Sequence, residues 1–283
     1  MPYANNQGVR IYYEVEGQGP PLVLAHGMGA GGDLNAWRST GYTDALKDDF
    51  RLILFDIRGH GRSDKPFGGV YTEQSERAQD KPSEASSHGS NPADDVVAVL
   101  DSLGIAKAHY LGYSMGAAAG FKQAISHADR FHSFILGGMT PGPWPEEMVK
   151  AINISAELVK LRRTDPEAYF VQMERMLGHS LTPDEKGELL SRDAGAGSAA
   201  PTPHRDESAL TDRDLAGISV PCLLYCGDLD PFHDGAQESV QHMPRAVFIS
   251  MHGLNHITAF FRSDVVVRFV KQFLAVVSPS AEG

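Results

Sequence analysis

The sequence predicts an α/β fold: a mostly parallel sheet with helices on both faces and a helical cap inserted between strands six and seven. Three observations carry that expectation. Short apolar runs recur along all 283 residues, with helical segments between most of them. The runs are near-continuous rather than alternating, as strands covered on both faces require. One of them, Ala108-His109-Tyr110-Leu111, runs into Gly112-Tyr113-Ser114-Met115-Gly116, and small helix-forming residues follow at once.

The elements follow in order. Val9-Arg10-Ile11-Tyr12-Tyr13-Glu14-Val15 alternates in polarity, which predicts an antiparallel edge strand. Pro21 to Ala25 is an apolar strand that ends in the flexible run His26 to Gly32. Leu52 to Phe55 is the next strand, followed by a turn rich in glycine and charge, Asp56 to Asp64. Tyr71 to Ser90 is polar and holds too few large apolar residues to order itself, so a mobile surface loop is expected. Asn91-Pro92-Ala93-Asp94 supplies a cap and a first-turn proline for a helix through Leu103. Its apolar positions Val96, Val97, Leu100 and Leu103 keep helical spacing.

Strands follow at Ala108 to Gly112 and Ser133 to Gly138. The stretch 141–218 then supports two or three amphipathic helices. Met148, Val149, Ile152, Ala156 and Val159 form one stripe. Asp165-Pro166 starts a second helix, with Tyr169, Phe170, Met173 and Met176 apolar. Thr182-Pro183-Asp184-Glu185 is a capping-box start for a third. Residues 191–203 read as flexible. Cys222 to Cys226 and Ala246 to Met251 are the last strands, and a helix is expected from Asp264 to Val277. The helical stretch 141–218 thus separates two core segments, 1–140 and 219–283.

The five residues Gly112 to Gly116 match G-x-S-x-G at a strand-to-helix turn, the nucleophile elbow. Such a turn strains Ser114 and projects its hydroxyl above the sheet. A serine hydroxyl still needs a base, an acid to hold the base, and donors for an oxyanion. The base candidate is His256, on the loop expected after the strand Ala246 to Met251; His252 lies too close to the strand end. The acid candidates are Asp228 and Asp230, just past the strand that ends at Gly227. The N–H groups of Met115 and Met28 are candidate oxyanion donors, with Gly27 allowing close approach and His26 orienting the loop. That loop has no following Lys-Ser/Thr and no dinucleotide fingerprint, which argues against phosphate binding.

In their order, His26-Gly27, Asp56 to Asp64, Gly112 to Gly116, Gly227 to Pro231 and Gly253 to His256 resemble the α/β-hydrolase family, from about Val9 to Leu274. The resemblance implies that Asp230, third after the turn glycine, is the acid. It implies a structural role for the Asp56 to Asp64 turn and a cap at 141–218 above the site. It also implies a serine hydrolase of small, partly apolar esters or lactones, needing no cofactor or metal, with Tyr113, Trp144 and Ile257 as candidate pocket residues. The same triad serves cofactor-free perhydrolases and haloperoxidases, carbon–carbon bond hydrolases and small-molecule receptors on the same scaffold. Ile257 stands where the carbon–carbon hydrolases carry a tryptophan. The serine at the elbow argues against the dehalogenases and most epoxide hydrolases, which carry aspartate there.

Composition narrows the partners. The formal net charge of −11 argues against nucleic acid and anionic membrane surfaces. No apolar run is long enough to span a bilayer, and the first residues lack a signal-peptide pattern. Cys222 and Cys226, four apart on one strand, lie about 13 Å apart, beyond the reach of a disulfide. Free thiols fit a cytoplasmic protein, monomeric or homodimeric.

Overall fold

The computed structural model describes residues 2–28, 32–65, 91–177, 179–191 and 209–277. The expected mobile stretch 71–90 lies outside them, as does 192–203 of the expected flexible run. Eight strands form one sheet in the order β1-β2-β4-β3-β5-β6-β7-β8. They are β1 Tyr3–Asn6, β2 Val9–Glu16, β3 Pro21–Ala25, β4 Arg51–Phe55, β5 Ala108–Tyr113, β6 Phe131–Gly137, β7 Cys222–Gly227 and β8 Ala246–Met251. From β4 to β8 all neighbours are parallel, while β1, β2 and β4 pair antiparallel. One expectation is corrected here. The alternating strand β2 is not the sheet edge, because β1 pairs along it from Tyr3↔Tyr12 to Asn6↔Val9.

Strand alternation builds two cores from the same strands. Val23, Ile53, Phe55 and Tyr110 face one side, beneath α3 (Asp95–Ser102) and α4 (Met115–Ser126). Leu22, Leu24, Leu52, Leu54 and Leu111 face the other. There they meet α1 (Asn35–Ser39), α2 (Tyr42–Leu46) and the C-terminal α11 (Ser263–Val277). Val266, Val270 and Leu274 of α11 recur at spacings of four and are buried, one face of a helix laid on the sheet. The Asn91 cap forms as expected, its side chain accepting from the Ala93 N–H, although the first turn is a 3-10 turn over Pro92–Asp94.

The turn after β4 carries a structural load. Both carboxylate oxygens of Asp56 accept backbone N–H groups, from Leu34 at 2.8 Å and Arg62 at 2.7 Å. Arg58 forms a buried, two-bonded pair with Asp95 at 2.6 and 2.5 Å. Asn6 also donates to Asp95 at 2.8 Å, so this pair ties β1 to α3. Burial of an ion pair is tolerable only with such additional bonds.

Between β6 and β7 the chain forms α5 (Glu146–Thr164), α6 (Pro166–Leu177), α7 (Pro183–Ser191) and α8 (Asp212–Gly217). Asp165 Oδ1 accepts from the Ala168 N–H at 3.0 Å at the start of α6. Thr182 and Glu185 make the reciprocal bonds of a capping box at α7. Tyr169, Phe170 and Leu181 form a small core of their own. Of the stripe expected on α5, Met148 is half-buried against the main core. Among the described residues no helix is long and apolar enough to cross a membrane. Cys222 and Cys226 are both free and buried.

Candidate active site

A parallel sheet places the ends of β3, β5, β7 and β8 along one edge, and the candidate residues all lie there. At the end of β5 the chain turns into α4 within a single residue. Ser114 makes that turn with φ 53° and ψ −115°. Only Gln7 shares a positive φ among the described non-glycine residues. An L-residue held there carries backbone strain. The flanking glycines are required by close approach. A Cβ on Gly112 would lie 2.5 Å from the Gly116 carbonyl oxygen, and one on Gly116 would lie 2.0 Å from that of Ala25. The elbow is therefore wedged between its own helix and the end of β3.

His256 reaches Ser114 from the segment after β8. The Ser114 hydroxyl lies 3.0 Å from His256 Nε2, and His256 Nδ1 lies 2.9 Å from Asp230 Oδ2. With Nδ1–H donating to the carboxylate, Nε2 is left to accept the serine proton. Asp230 follows β7, ahead of α9 (His233–Ser239), and its side chain is 0% exposed. Its second oxygen accepts the Phe232 N–H at 3.0 Å, which fixes the carboxylate plane. The Phe232 ring also packs 5.7 Å from the His256 ring.

The two rival residues pair with each other instead. Asp228 Oδ2 meets His252 Nδ1 at 2.7 Å, and Oδ1 accepts the Gly253 N–H at 2.7 Å. The hydrogen bond from His252 holds the Asp228 carboxyl below its usual range.

The loop after β3 lies against the elbow. A Cβ built on Gly27 would sit 3.2 Å from the Ser114 Cβ and 3.9 Å from its Oγ. This puts the Gly27–Met28 backbone beside the nucleophile. Met115 is the first residue of α4, where N–H groups have no intrahelical acceptor. His26 is fully buried and bridges two loops. Its Nε2 accepts the Ile57 N–H at 3.0 Å, and its Nδ1 lies 2.9 Å from the Gly27 oxygen. Burial pushes its pKa down to about 3. A neutral ring can accept at Nε2 and donate at Nδ1, as this bridge needs.

The pocket candidates fare differently. Ile257 follows His256 in the chain and is 65% exposed; Leu229, Phe261 and Met28 are exposed too. Trp144 is half-buried, edge-on to Phe232 at 5.8 Å, one ring removed from His256. Tyr113 is a correction. It is 3% exposed and turned into the core beneath the histidine, with its hydroxyl donating to the His256 carbonyl at 2.6 Å. A residue adjacent to a strained turn residue alternates to the opposite face, which here is the packed face.

Sequence reasoning missed two features. His256 is not on a loop; it opens the short helix α10, His256–Phe260. Asn255 caps that helix by accepting from the Ile257 and Thr258 N–H groups at 3.0 and 2.9 Å. The pair Asn255 and Thr258, three apart, is the signal that could have revealed it. Phe232 was also missed, having no motif to mark it. Among the described residues no cluster of three or more His, Cys, Asp or Glu is placed to hold a metal ion.

Comparison with known proteins adds the lineage. The family model for the alpha/beta hydrolase fold matches residues 20–238. A 3-oxoadipate enol-lactonase of Acinetobacter baylyi is 29% identical over 237 residues, covering 80% of this chain and 78% of the relative. The solved enol-lactonase of Burkholderia xenovorans superposes with a TM-score of 0.67 at 25% identity, covering 97% of this chain and 100% of its own. A thermophilic esterase from Thermogutta terrifontis superposes with a TM-score of 0.69 at 22% identity, over 98% of each chain.

Proposed function

The chain belongs to the alpha/beta-hydrolase fold family, and from that premise we propose that it is a serine hydrolase of carboxylic esters or lactones. The observation that carries this reading is the continuous hydrogen-bonded line from Ser114 through His256 to Asp230, with the nucleophile on a strained turn. The names of its relatives, an enol-lactonase and an esterase among them, support the same reaction class.

In the proposed reaction, Ser114 Oγ attacks the carbonyl carbon while its proton passes to His256 Nε2. Asp230 holds the ring tautomer and stabilises the imidazolium. The N–H groups of Met28 and Met115 receive the oxyanion. When the tetrahedral intermediate collapses, Nε2–H protonates the departing alkoxide; in a lactone that alcohol stays tethered to the acyl group. Water then attacks the acyl-serine, giving its proton to His256, and the acid leaves as Ser114 recovers its hydrogen. The apolar side chains Met28, Leu229, Ile257 and Phe261, exposed on the segments that flank this line, suit an uncharged, partly apolar substrate. Helices α5 to α7 are proposed as the cap over that mouth.

The test is hydrolysis of a p-nitrophenyl ester series from acetate to dodecanoate, with a panel of aliphatic lactones alongside, by the protein and by Ser114→Ala. Turnover lost in the variant supports the reading, and the chain-length optimum sizes the pocket. A folded protein that turns over none of these overturns it.

A further inference from the structure

The helix carrying the candidate base is only five residues long, too short to hold itself together. The last four carbonyls of any helix have no intrahelical donor within it. Two buried phenols reach carbonyls at the two ends of α10. The Tyr113 hydroxyl donates to His256 O at 2.6 Å, and the Tyr42 hydroxyl donates to Phe260 O at 3.1 Å. They arrive from unrelated parts of the chain. Tyr113 ends β5 and directly precedes Ser114, while Tyr42 opens α2.

The rings reinforce the bonds. Phe260 stacks on Tyr42 with centroids 5.6 Å apart and packs 4.9 Å from Tyr113, and Tyr113 lies 5.5 Å from the His256 ring. Burial raises both phenols well above their ordinary range, which keeps them protonated and able to donate near neutral pH. The Asn255 cap satisfies the N–H groups at the start of the helix. The backbone of α10 is thus pinned at both ends, and one pin belongs to the residue next to the nucleophile.

We propose that Tyr113 and Tyr42 are positioning residues that clamp α10 from beneath and thereby set His256 in register with Ser114. The proposal rests on reading Ser114, His256 and Asp230 as the catalytic relay. A phenol on the nucleophile's own strand couples the nucleophile and the base mechanically, so neither can shift without the other. Tyr42 fixes the far end, which sets the tilt of the helix.

The experiment compares the protein with Tyr113→Phe, Tyr42→Phe, the double variant and Ser114→Ala. Each Tyr→Phe change removes a single oxygen and leaves the ring. Two readouts are taken: kcat and KM on the best p-nitrophenyl ester, and the low-field proton resonance of His256 Nδ1–H. The second needs no substrate. A misplaced base predicts kcat lowered about tenfold in Tyr113→Phe with KM within about twofold, and a smaller fall in Tyr42→Phe. The Nδ1–H resonance should shift or broaden in both. Folded variants with unchanged kcat and an unchanged resonance overturn the clamp. If Tyr113→Phe does not fold, the same criteria applied to Tyr42→Phe decide. If the wild type shows no turnover that depends on Ser114, the hydrolase reading fails while the resonance still judges the clamp.

Discussion

Two aspartate–histidine pairs join the segment after β7 to the segment after β8, alike in distance but set differently against solvent. The outer pair, Asp228 and His252, is 2.7 Å apart; the inner pair, Asp230 and His256, is 2.9 Å apart. The His252 side chain is 99% exposed, whereas the Asp230 carboxylate is fully buried. Each aspartate also accepts one backbone N–H, Asp228 from Gly253 and Asp230 from Phe232, but the inner pair continues to a third side chain, Ser114. Two nearly equal distances therefore sit in two different settings. Removal from water strengthens each bond of the inner line. The outer pair sits in high dielectric, where an ion pair contributes little; its bond to Gly253 shapes the turn instead.

That contrast can be broken experimentally in order of effect. Ser114→Ala and His256→Ala should each cost about 10⁶ in kcat, and the double variant no more than either, because the two act as one unit. Single-turnover kinetics would check the non-additivity. Asp230→Asn should cost about 10⁴ in kcat, since an amide favours the wrong tautomer of His256 while leaving its position intact. The matching outer change, Asp228→Asn, should leave kcat within about twofold. A loss there comparable to that of Asp230→Asn would erase the distinction between the pairs.

A third histidine sharpens the comparison, because it is buried against a serine hydroxyl. His109 lies inside the sheet with Nδ1 2.7 Å from Ser133 Oγ. Burial, aided by His132, depresses its pKa to about 4. The unfolded chain binds this proton near pH 6.5. The stabilisation is therefore complete above pH 6.5 and is lost as pH falls toward 4. Between pH 7 and 5 it should amount to roughly 2 kcal/mol. His26, held near 3 by its own burial, works in the same direction. Asp56, raised by burial to about 6, opposes them, because its folded form keeps a proton that the unfolded chain releases above pH 3.8. Urea unfolding at pH 7 and pH 5 should show His109→Gln losing less stability on acidification than the wild type.

How much of this was legible in the sequence depended on range. The elbow, the β7 turn and the β3 loop are each local patterns of Gly with a single functional residue, so their chemistry could be read from a few neighbours. The choice between Asp228 and Asp230 is different. Both follow the same strand, and what separates them is tertiary: Asp230 is buried and meets His256, while Asp228 meets the exposed His252. Tyr113 was misplaced because its fate is set by a contact 143 residues along the chain, which no local pattern records. Helix α10 escaped because five residues give no periodicity to detect. Strand β1, at four residues, has the same defect. The helices α6 and α7 were foreshadowed by their starting residues, Asp165 and Thr182, but the small core of Tyr169, Phe170 and Leu181 is a tertiary fact.

The two cysteines of β7 turn the strand beneath Asp230 into a built-in clock. Burial lifts both thiols to about 12, so neither presents a thiolate to solvent at neutral pH. A thiol reagent can then react only when the strand opens, and the labelling rate counts those openings. Cys226 stands four residues from the candidate acid. Its rate against that of Cys222 therefore measures whether the working edge of the sheet breathes by itself or only when the whole molecule comes apart.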